Sequence, residues 1–367
     1  MRGKSQMGVR KSASGQMDGS RHQGKDLKII SFFNHKGGVS KTTSTFHVGW
    51  KLAELGHKVL LVDADPQCNL TALALGYTDD ADIEQHYAKY PMSDVYAGLK
   101  PVIDGDLRRL EPAEPAATAN PNLFVLCGNI ALSEAETQLS VALTTRNSIP
   151  AIRNLPGSIG ELIRLTGEEI GADFVLVDMS PSVGALNQCI LMASDHFIVP
   201  TAPDFFCVQA IRSLSKTIPR WSDEIDFFRD RELIYPIPEE PPVMLGFLSQ
   251  KYRPRNGAPA KSFQQWINRI DETVDNELAP ALNAKKMIVS FKRFQASVNE
   301  TGPFNLANIS DFNSLVAQSQ KYSVPVFALS DAQIEQTGEI LQTMKANREE
   351  FGRVFQHLAE SIIELTN

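Results

Sequence analysis

The segment KIISFFNHKGGVSKTTSTFHVGWKLAELGHKVLLVDAD, Lys28 to Asp65, constrains the chain more than any other. A short apolar run is followed by a glycine-containing turn, a helix-length stretch stopping at Gly56, and a second apolar run ending on two aspartates. Strand, loop, helix and strand within about 35 residues make a βαβ unit, which requires a parallel sheet and a right-handed crossover. Further apolar runs follow at helix-length spacing: NLFVLCGN, DFVLVDMS (Asp173 to Ser180), HFIVPTA (His196 to Ala202) and VMLGFLSQ (Val243 to Gln250). Together they predict an α/β fold, doubly wound, with a mostly parallel sheet and helices on both faces.

The turn itself, Asn34 to Thr43 (NHKGGVSKTT), joins a strand to a helix, where backbone N–H groups and the helix N-terminus cradle phosphates. Lys36, Gly37, Gly38, Val39, Ser40, Lys41, Thr42 and Thr43 are therefore the expected nucleotide-binding residues, with ATP and Mg²⁺ as the ligands. Lys41 is expected on the β- and γ-phosphates and the Thr42 hydroxyl on the metal. The strict GxxxxGK[ST] expression fails, because His35 and Ser40 occupy its two glycine positions. Ser40 puts a Cβ where glycine normally relieves crowding, so altered turnover is expected in an undetermined direction. The bland alternative, a glycine-rich turn with incidental lysines, sits poorly with the strand and helix on either side. Asp63 and Asp65 close the second strand, a position for ligand-facing carboxylates or for caps of the next helix. Asp178 closes the run FVLV ahead of Met-Ser-Pro-Ser.

The pattern K-G-G-V-x-K-T-T after a strand, then V-D-x-D-P-Q-x-N about 25 residues on, resembles the ParA/MinD group of P-loop ATPases with a deviant Walker A motif. The segments NLFVLCGNIALSEAETQL, IVPTAPDFFCVQAI, LGFLSQKYRP and SLVAQSQKYSVPVF extend the resemblance over about 28–365, apart from 77–121. Missing features narrow it to ParA/Soj: no CxxC, no cysteine soon after Asp178, and no tyrosine in the final 40 residues. The resemblance implies a fold of the P-loop NTPase type, with Lys36 reaching across a homodimer to the partner's phosphates. It implies Lys36, Lys41 and Asp65 as catalytic residues and Thr42, Asp65 and Asp178 around the metal, with Asp65 in switch I and Asp178 as the Walker B aspartate. Pro181 and Ser182 fall in the loop that senses the γ-phosphate. The function implied is a slow, partner-stimulated ATPase that dimerises with ATP, binds DNA non-specifically and serves plasmid or chromosome partition with a ParB-like activator. Candidate DNA contacts are Lys251, Arg253, Arg255, Lys261, Lys285, Lys286, Lys292 and Arg293. The alternatives are a positioning or regulatory switch that uses a protein partner without DNA, and a nucleotide-binding module that never hydrolyses.

Charge and organisation set the remaining expectations. The net charge of −7 argues against generic nucleic-acid binding, although residues 1–28 carry seven Lys/Arg against two Asp. Residues 1–27 read as a flexible basic tail, too short for a helix-turn-helix domain, and 28–367 as a single domain. Within it, 77–121 reads as an acidic insertion with a loop near 111–121, a candidate dock for a basic arm of the activating partner. Residues 331–365 read as one long helix whose stripe of Phe351, Val354, Phe355, Leu358, Ile362 and Leu365 packs on the core instead of a membrane. Four scattered cysteines (Cys68, Cys127, Cys189, Cys207), no apolar leader and no run of 18 apolar residues predict a cytoplasmic protein, nucleoid-associated if it binds DNA.

Overall fold

The chain is described by a computed structural model covering residues 27–77, 79–106, 108–145, 152–252, 254–255, 258–259, 261–298 and 302–367. The first βαβ unit forms as read: β1 (Lys28–Phe32), α1 (Lys41–Glu54) and β2 (Val59–Ala64). There follow α2 (Asn69–Leu75), α3 (Asp80–Lys89), α4 (Val95–Ile103), β3 (Ala116–Ala117), β4 (Leu123–Leu126), α5 (Leu132–Thr145), α6 (Leu155–Glu169) and β5 (Phe174–Met179). The second half continues with α7 (Ala185–Ala193), β6 (His196–Thr201), α8 (Phe205–Glu224), β7 (Val243–Tyr252), the short hairpin β8 (Pro254–Arg255) and β9 (Ala258–Pro259), and α9 (Lys261–Thr273). Last come α10 (Ala279–Asn283), α11 (Phe291–Ser297), β10 (Asn305–Ser310), α12 (Leu315–Tyr322), α13 (Asp331–Ile334) and α14 (Gly338–Thr366).

Eight strands make one sheet in the order β10-β7-β6-β1-β5-β2-β4-β3, parallel throughout except for the antiparallel edge strand β3. The near-continuous apolar runs of β1, β2, β5 and β6 are buried along almost their whole length, as strands covered on both faces must be. The expected fold class is the observed one. β1 lies between β5 and β6, and its register sets Phe32 beside Asp178, while β2 and β5 set Asp63 beside Asp178. Carboxyl ends of neighbouring strands thus gather three elements of the phosphate site on one edge.

Several boundaries differ from the sequence reading. Residues 1–26 lie outside the described residues, and Leu27 belongs to the core rather than to a tail. Within 77–121, α3 and α4 form, Val95, Leu99, Leu110 and Ala113 are buried, and β3, inside the loop expected near 111–121, pairs with β4. The single helix expected over 331–365 is two, because Glu335 adopts a left-handed φ of 54° and ends α13 before Thr337 opens α14. The stripe of α14 does pack inward, with Phe351, Phe355, Leu358, Ile362 and Leu365 buried and Val354 partly so. No helix among the described residues is long and apolar enough to cross a membrane.

Candidate nucleotide-binding site

The loop between β1 and α1 is held by its carbonyls. Lys41 Nζ donates to Asn34 O at 3.0 Å and to Lys36 O at 3.5 Å. Lys251 Nζ donates to Gly38 O (3.0 Å), Gln250 Nε2 to Val39 O (3.2 Å), and Ser44 Oγ to Ser40 O (2.8 Å). Asn34 anchors the loop's entry through Nδ2 to Pro200 O on β6 (2.8 Å), while its Oδ1 accepts the Lys36 N–H (3.0 Å). In a trans peptide the carbonyl and the following N–H point opposite ways. Carbonyls tied down to the protein at 38, 39 and 40 therefore turn the N–H groups of Val39, Ser40 and Lys41 to the other side, which is the arrangement an anion requires. Gly38 takes φ 76° and Ser40 φ 59°, the left-handed turns that let the loop coil.

A cleft of about 700 Å³ opens over this loop, lined by Gly37 to Thr43, by Asp65, Gln67 and Asn69, and by Pro181. Its far end is formed by Gln250, Lys251, Ile309 to Phe312, Val316 and Gln320. Gly37 to Thr43 of the expected phosphate residues and Asp65 thus share one cavity, whereas Lys36 does not line it and Asp178 adjoins it through Thr42. Thr42 Oγ1 donates to Asp178 Oδ2 at 2.6 Å. Burial, then the neighbouring Asp63, hold the Asp178 carboxyl well above the usual carboxylate range, against the pull of Thr42 and Lys41. Burial likewise lowers the Lys41 ammonium, although Asp178 and Asp65 favour its charge. Asp178 Oδ1 is buried with no hydrogen-bond partner. An orphaned carboxylate oxygen beside a threonine hydroxyl and a buried lysine fits a Mg²⁺ that fills its shell with water and phosphate oxygens. No cluster of three or more His, Cys, Asp or Glu able to hold a metal occurs among the described residues.

The two aspartates of β2 separate. Asp63 Oδ2 accepts the Thr71 N–H (2.8 Å) and hydroxyl (2.7 Å), tying β2 to α2, and burial raises its carboxyl to about 6. Asp65 faces the cleft, with Oδ1 accepting the Gln67 N–H at 3.0 Å. The turn from the Pro181–Ser182 loop into α7 is set by a residue the sequence reading passed over. Glu136 of α5 accepts the N–H groups of Ala185 (2.7 Å) and Leu186 (2.8 Å), capping α7, and a Cβ at Gly184 would lie 2.4 Å from that carboxylate. Lys36 Nζ lies 3.0 Å from Asp204 Oδ2, the cap of α8, with side chains 21% and 41% exposed.

The expected DNA contacts are dispersed. Lys251 faces the loop, Lys285 is ion-paired with Asp223, and Arg293 donates to Glu364 O (3.2 Å). Lys261, Lys286 and Lys292 are exposed. Arg253 and the Arg255 side chain lie outside what is described.

A strand-loop-helix phosphate cradle, a threonine bonded to the aspartate of the adjacent strand, and a parallel sheet in this order define a P-loop nucleotide-binding protein. The chain belongs to the AAA domain family, whose model it matches over residues 27–227. It is 33% identical over 195 residues to the chromosome partitioning protein ParA of Caulobacter vibrioides, covering 53% of this chain and 63% of that protein. To the sporulation initiation inhibitor protein Soj of Bacillus subtilis it is 32% identical over 195 residues, covering 52% and 64%. The chain thus spans less than two thirds of the length of these relatives. In fold it is similar to pNOB8 ParA, solved bound to nonspecific DNA, with a TM-score of 0.53, 18% identity, and coverage of 93% of this chain and 99% of that one. The ParA/Soj resemblance read from the motifs is borne out.

Proposed function

We propose that the chain binds ATP with Mg²⁺ in this cleft and acts as a dimerising switch ATPase that holds DNA without reading its sequence, in plasmid or chromosome partition. The observation that carries the reading is the Thr42–Asp178 hydrogen bond of 2.6 Å at the mouth of the phosphate loop. In this reading Lys41 gives up the carbonyls of Asn34 and Lys36 for phosphate oxygens, a charge-assisted exchange. Thr42 and Asp178 hold the metal, with Asp65 in its outer shell or orienting the attacking water. Mg²⁺ bound there neutralises charge on the β- and γ-phosphates. Pro181 and Ser182 lie where the γ-phosphate is sensed, and the Glu136 cap keeps α7 fixed while that loop moves.

Lys36 reaches a second copy's phosphates only if its ion pair with Asp204 opens, an exchange on the order of 0.2–1 kcal/mol for a partly exposed pair. Phe205 and Phe206 follow Asp204 directly and are 49% and 68% exposed, an apolar rim that a second copy would cover. Among the described residues, the exposed DNA contacts in this reading are Lys261, Lys286 and Lys292. The 33% and 32% identities to ParA and Soj support partition as the process.

The test is ATP hydrolysis with and without non-specific duplex DNA, in the native protein and in Lys36→Ala and Lys41→Ala. We expect DNA stimulation in the native protein, no nucleotide binding in Lys41→Ala, and retained binding without ATP-dependent dimerisation in Lys36→Ala. Turnover that needs both lysines but ignores DNA would move the function to a protein-partnered switch. Absence of nucleotide binding in the native protein would end the reading.

A further inference from the structure

We propose that Gln250 and Lys251, at the exit of β7, are positioning residues that aim the phosphate loop by gripping two successive carbonyls from the sheet side. Lys251 therefore works on the nucleotide through the loop and is not a DNA contact. The inference rests on the ATP-binding reading above and adds to it.

Successive residues of a regular strand point to opposite faces, so Gln250 and Lys251 would not normally reach the same loop. Here they do: Gln250 Nε2 bonds Val39 O at 3.2 Å and Lys251 Nζ bonds Gly38 O at 3.0 Å. The backbone explains how. β7 and β10 pair Ile309 with Gln250 and then Ser310 with Tyr252, skipping Lys251, and Lys251 adopts a left-handed φ of 60°. This is a β-bulge, a device that re-aims a side chain next to a binding site. A lysine has no intrinsic reason to sit there, since the left-handed region costs an L residue roughly 1–2 kcal/mol. The strain falls at the residue of β7 whose ammonium meets the loop. Gln250 is buried and fixed from a second side, its Oε1 accepting the Ser44 hydroxyl at 2.8 Å, so the grip is braced against α1.

The consequence follows from peptide geometry. With the carbonyls of Gly38 and Val39 held toward β7, the N–H groups of Val39 and Ser40 are directed the other way, toward the anion. Without the grip these two peptides are free to rotate, and each phosphate hydrogen bond must then be formed against that disorder. Because the grip acts on phosphate donors, it supports the phosphate chain of any nucleotide whatever its base.

The experiment measures equilibrium binding of ATP, ADP and inorganic tripolyphosphate to the native chain and to Lys251→Met, Lys251→Arg, Gln250→Met and the double Met variant. DNA retention is measured alongside. Lys251→Met is expected to weaken all three ligands by about tenfold, the scale of part of a charge-assisted hydrogen bond. Gln250→Met should do the same, the double variant should lose less than the product of the two, and Lys251→Arg, which keeps a donor on a long stem, should recover most of the affinity. In turnover, KM for ATP should rise with kcat nearly kept. Unchanged tripolyphosphate affinity in Lys251→Met overturns the proposal, as does a loss confined to DNA retention. If Gln250→Met misfolds, the exposed Lys251 variants still decide the matter. Failure of the native chain to bind ATP would sink the ATP reading itself, whereas native binding that is indifferent to Lys251 sinks only this inference.

Discussion

Replacing Ser40 by glycine restores the residue expected in a strict phosphate loop, and its effect can be worked out from the backbone. Ser40 sits at φ 59°, ψ 33°, a left-handed conformation, and its side chain makes no capping hydrogen bond. Its carbonyl accepts both the Ser44 N–H (2.9 Å) and the Ser44 hydroxyl (2.8 Å), contacts that survive any side-chain change. Removing the Cβ relieves roughly 1–2 kcal/mol of left-handed strain. Against this stands the greater freedom glycine has in the unfolded chain, about 0.5–1 kcal/mol. The net gain is on the order of 0.5–1 kcal/mol, read as a rise of roughly 1–3 °C in Tm for a chain of this size. Urea unfolding of the nucleotide-free protein is the primary assay, with ATP affinity measured alongside to show whether the relaxed loop also binds better. Ser40→Val is the counter-test: a β-branched residue in a left-handed turn should destabilise by more than 1 kcal/mol. A loss of stability in Ser40→Gly would refute the reasoning, because it would mean that the hydroxyl carries an interaction outweighing the strain.

Two further outcomes follow from polar side chains that hold backbone N–H groups. His47 on α1 is neutral and fully enclosed: its Nδ1 meets Thr43 O at 2.7 Å, its Nε2 accepts the Val326 N–H at 3.1 Å, and burial pushes it down to about 3. The unfolded chain takes up that proton near its ordinary 6.5, so stability is full above 6.5 and falls as pH drops from 6.5 toward 3. His47→Leu should flatten this part of the pH dependence while losing about 1–3 kcal/mol at pH 7 through the unpaired Val326 N–H, both measured by urea unfolding across pH. Glu136→Ala should remove the cap of α7 at a cost of about 1–2 kcal/mol, and hydrogen exchange should quicken at Ala185 and Leu186 far more than in α1.

What the sequence disclosed and what it hid divide along physical lines. The strands with continuous apolar runs, β1, β2, β5, β6 and β7, were legible because burial on both faces leaves an unmistakable composition. β10 was not read, since NLANIS carries two asparagines and sits at the sheet edge, where one side needs no neighbour. The helices of 77–121 were obscured by their acidic surface and by the Pro/Ala stretch that follows them, although Val95 and Leu99 are four apart and share one buried face. The break before α14 hangs on the backbone angle of Glu335, to which no residue type draws attention. Within the site, residues in the motif were found because their chemistry is local. Gln250, Lys251, Glu136 and Asp204 act on it from 49 to more than 200 residues away along the chain, so spacing could not betray them.

The phosphate loop draws its shape from that distant set. Its carbonyls at 34, 36, 38, 39 and 40 are each taken by a side chain: Lys41 twice, Lys251, Gln250 and Ser44. A loop of this length left to itself would satisfy its carbonyls with water and sample many orientations, and an anion would have to order it on arrival. Here the ordering is done by folding, with donors from α1 on one side and β7 on the other. Lys41 holds Asn34 and Lys36; in the proposed ATP-binding reading it then meets phosphate, and its move out of the loop would leave those two carbonyls without their donor. The three farther along keep their donors, Lys251, Gln250 and Ser44. The N–H groups of Val39, Ser40 and Lys41 therefore form the rigid part of the cradle, and the His35–Gly37 stretch, beyond the Asn34 anchor, the more pliable part. Lys36, the residue expected to reach a second copy, lies in the more pliable part, and in the proposed cycle nucleotide binding would loosen it from Asp204.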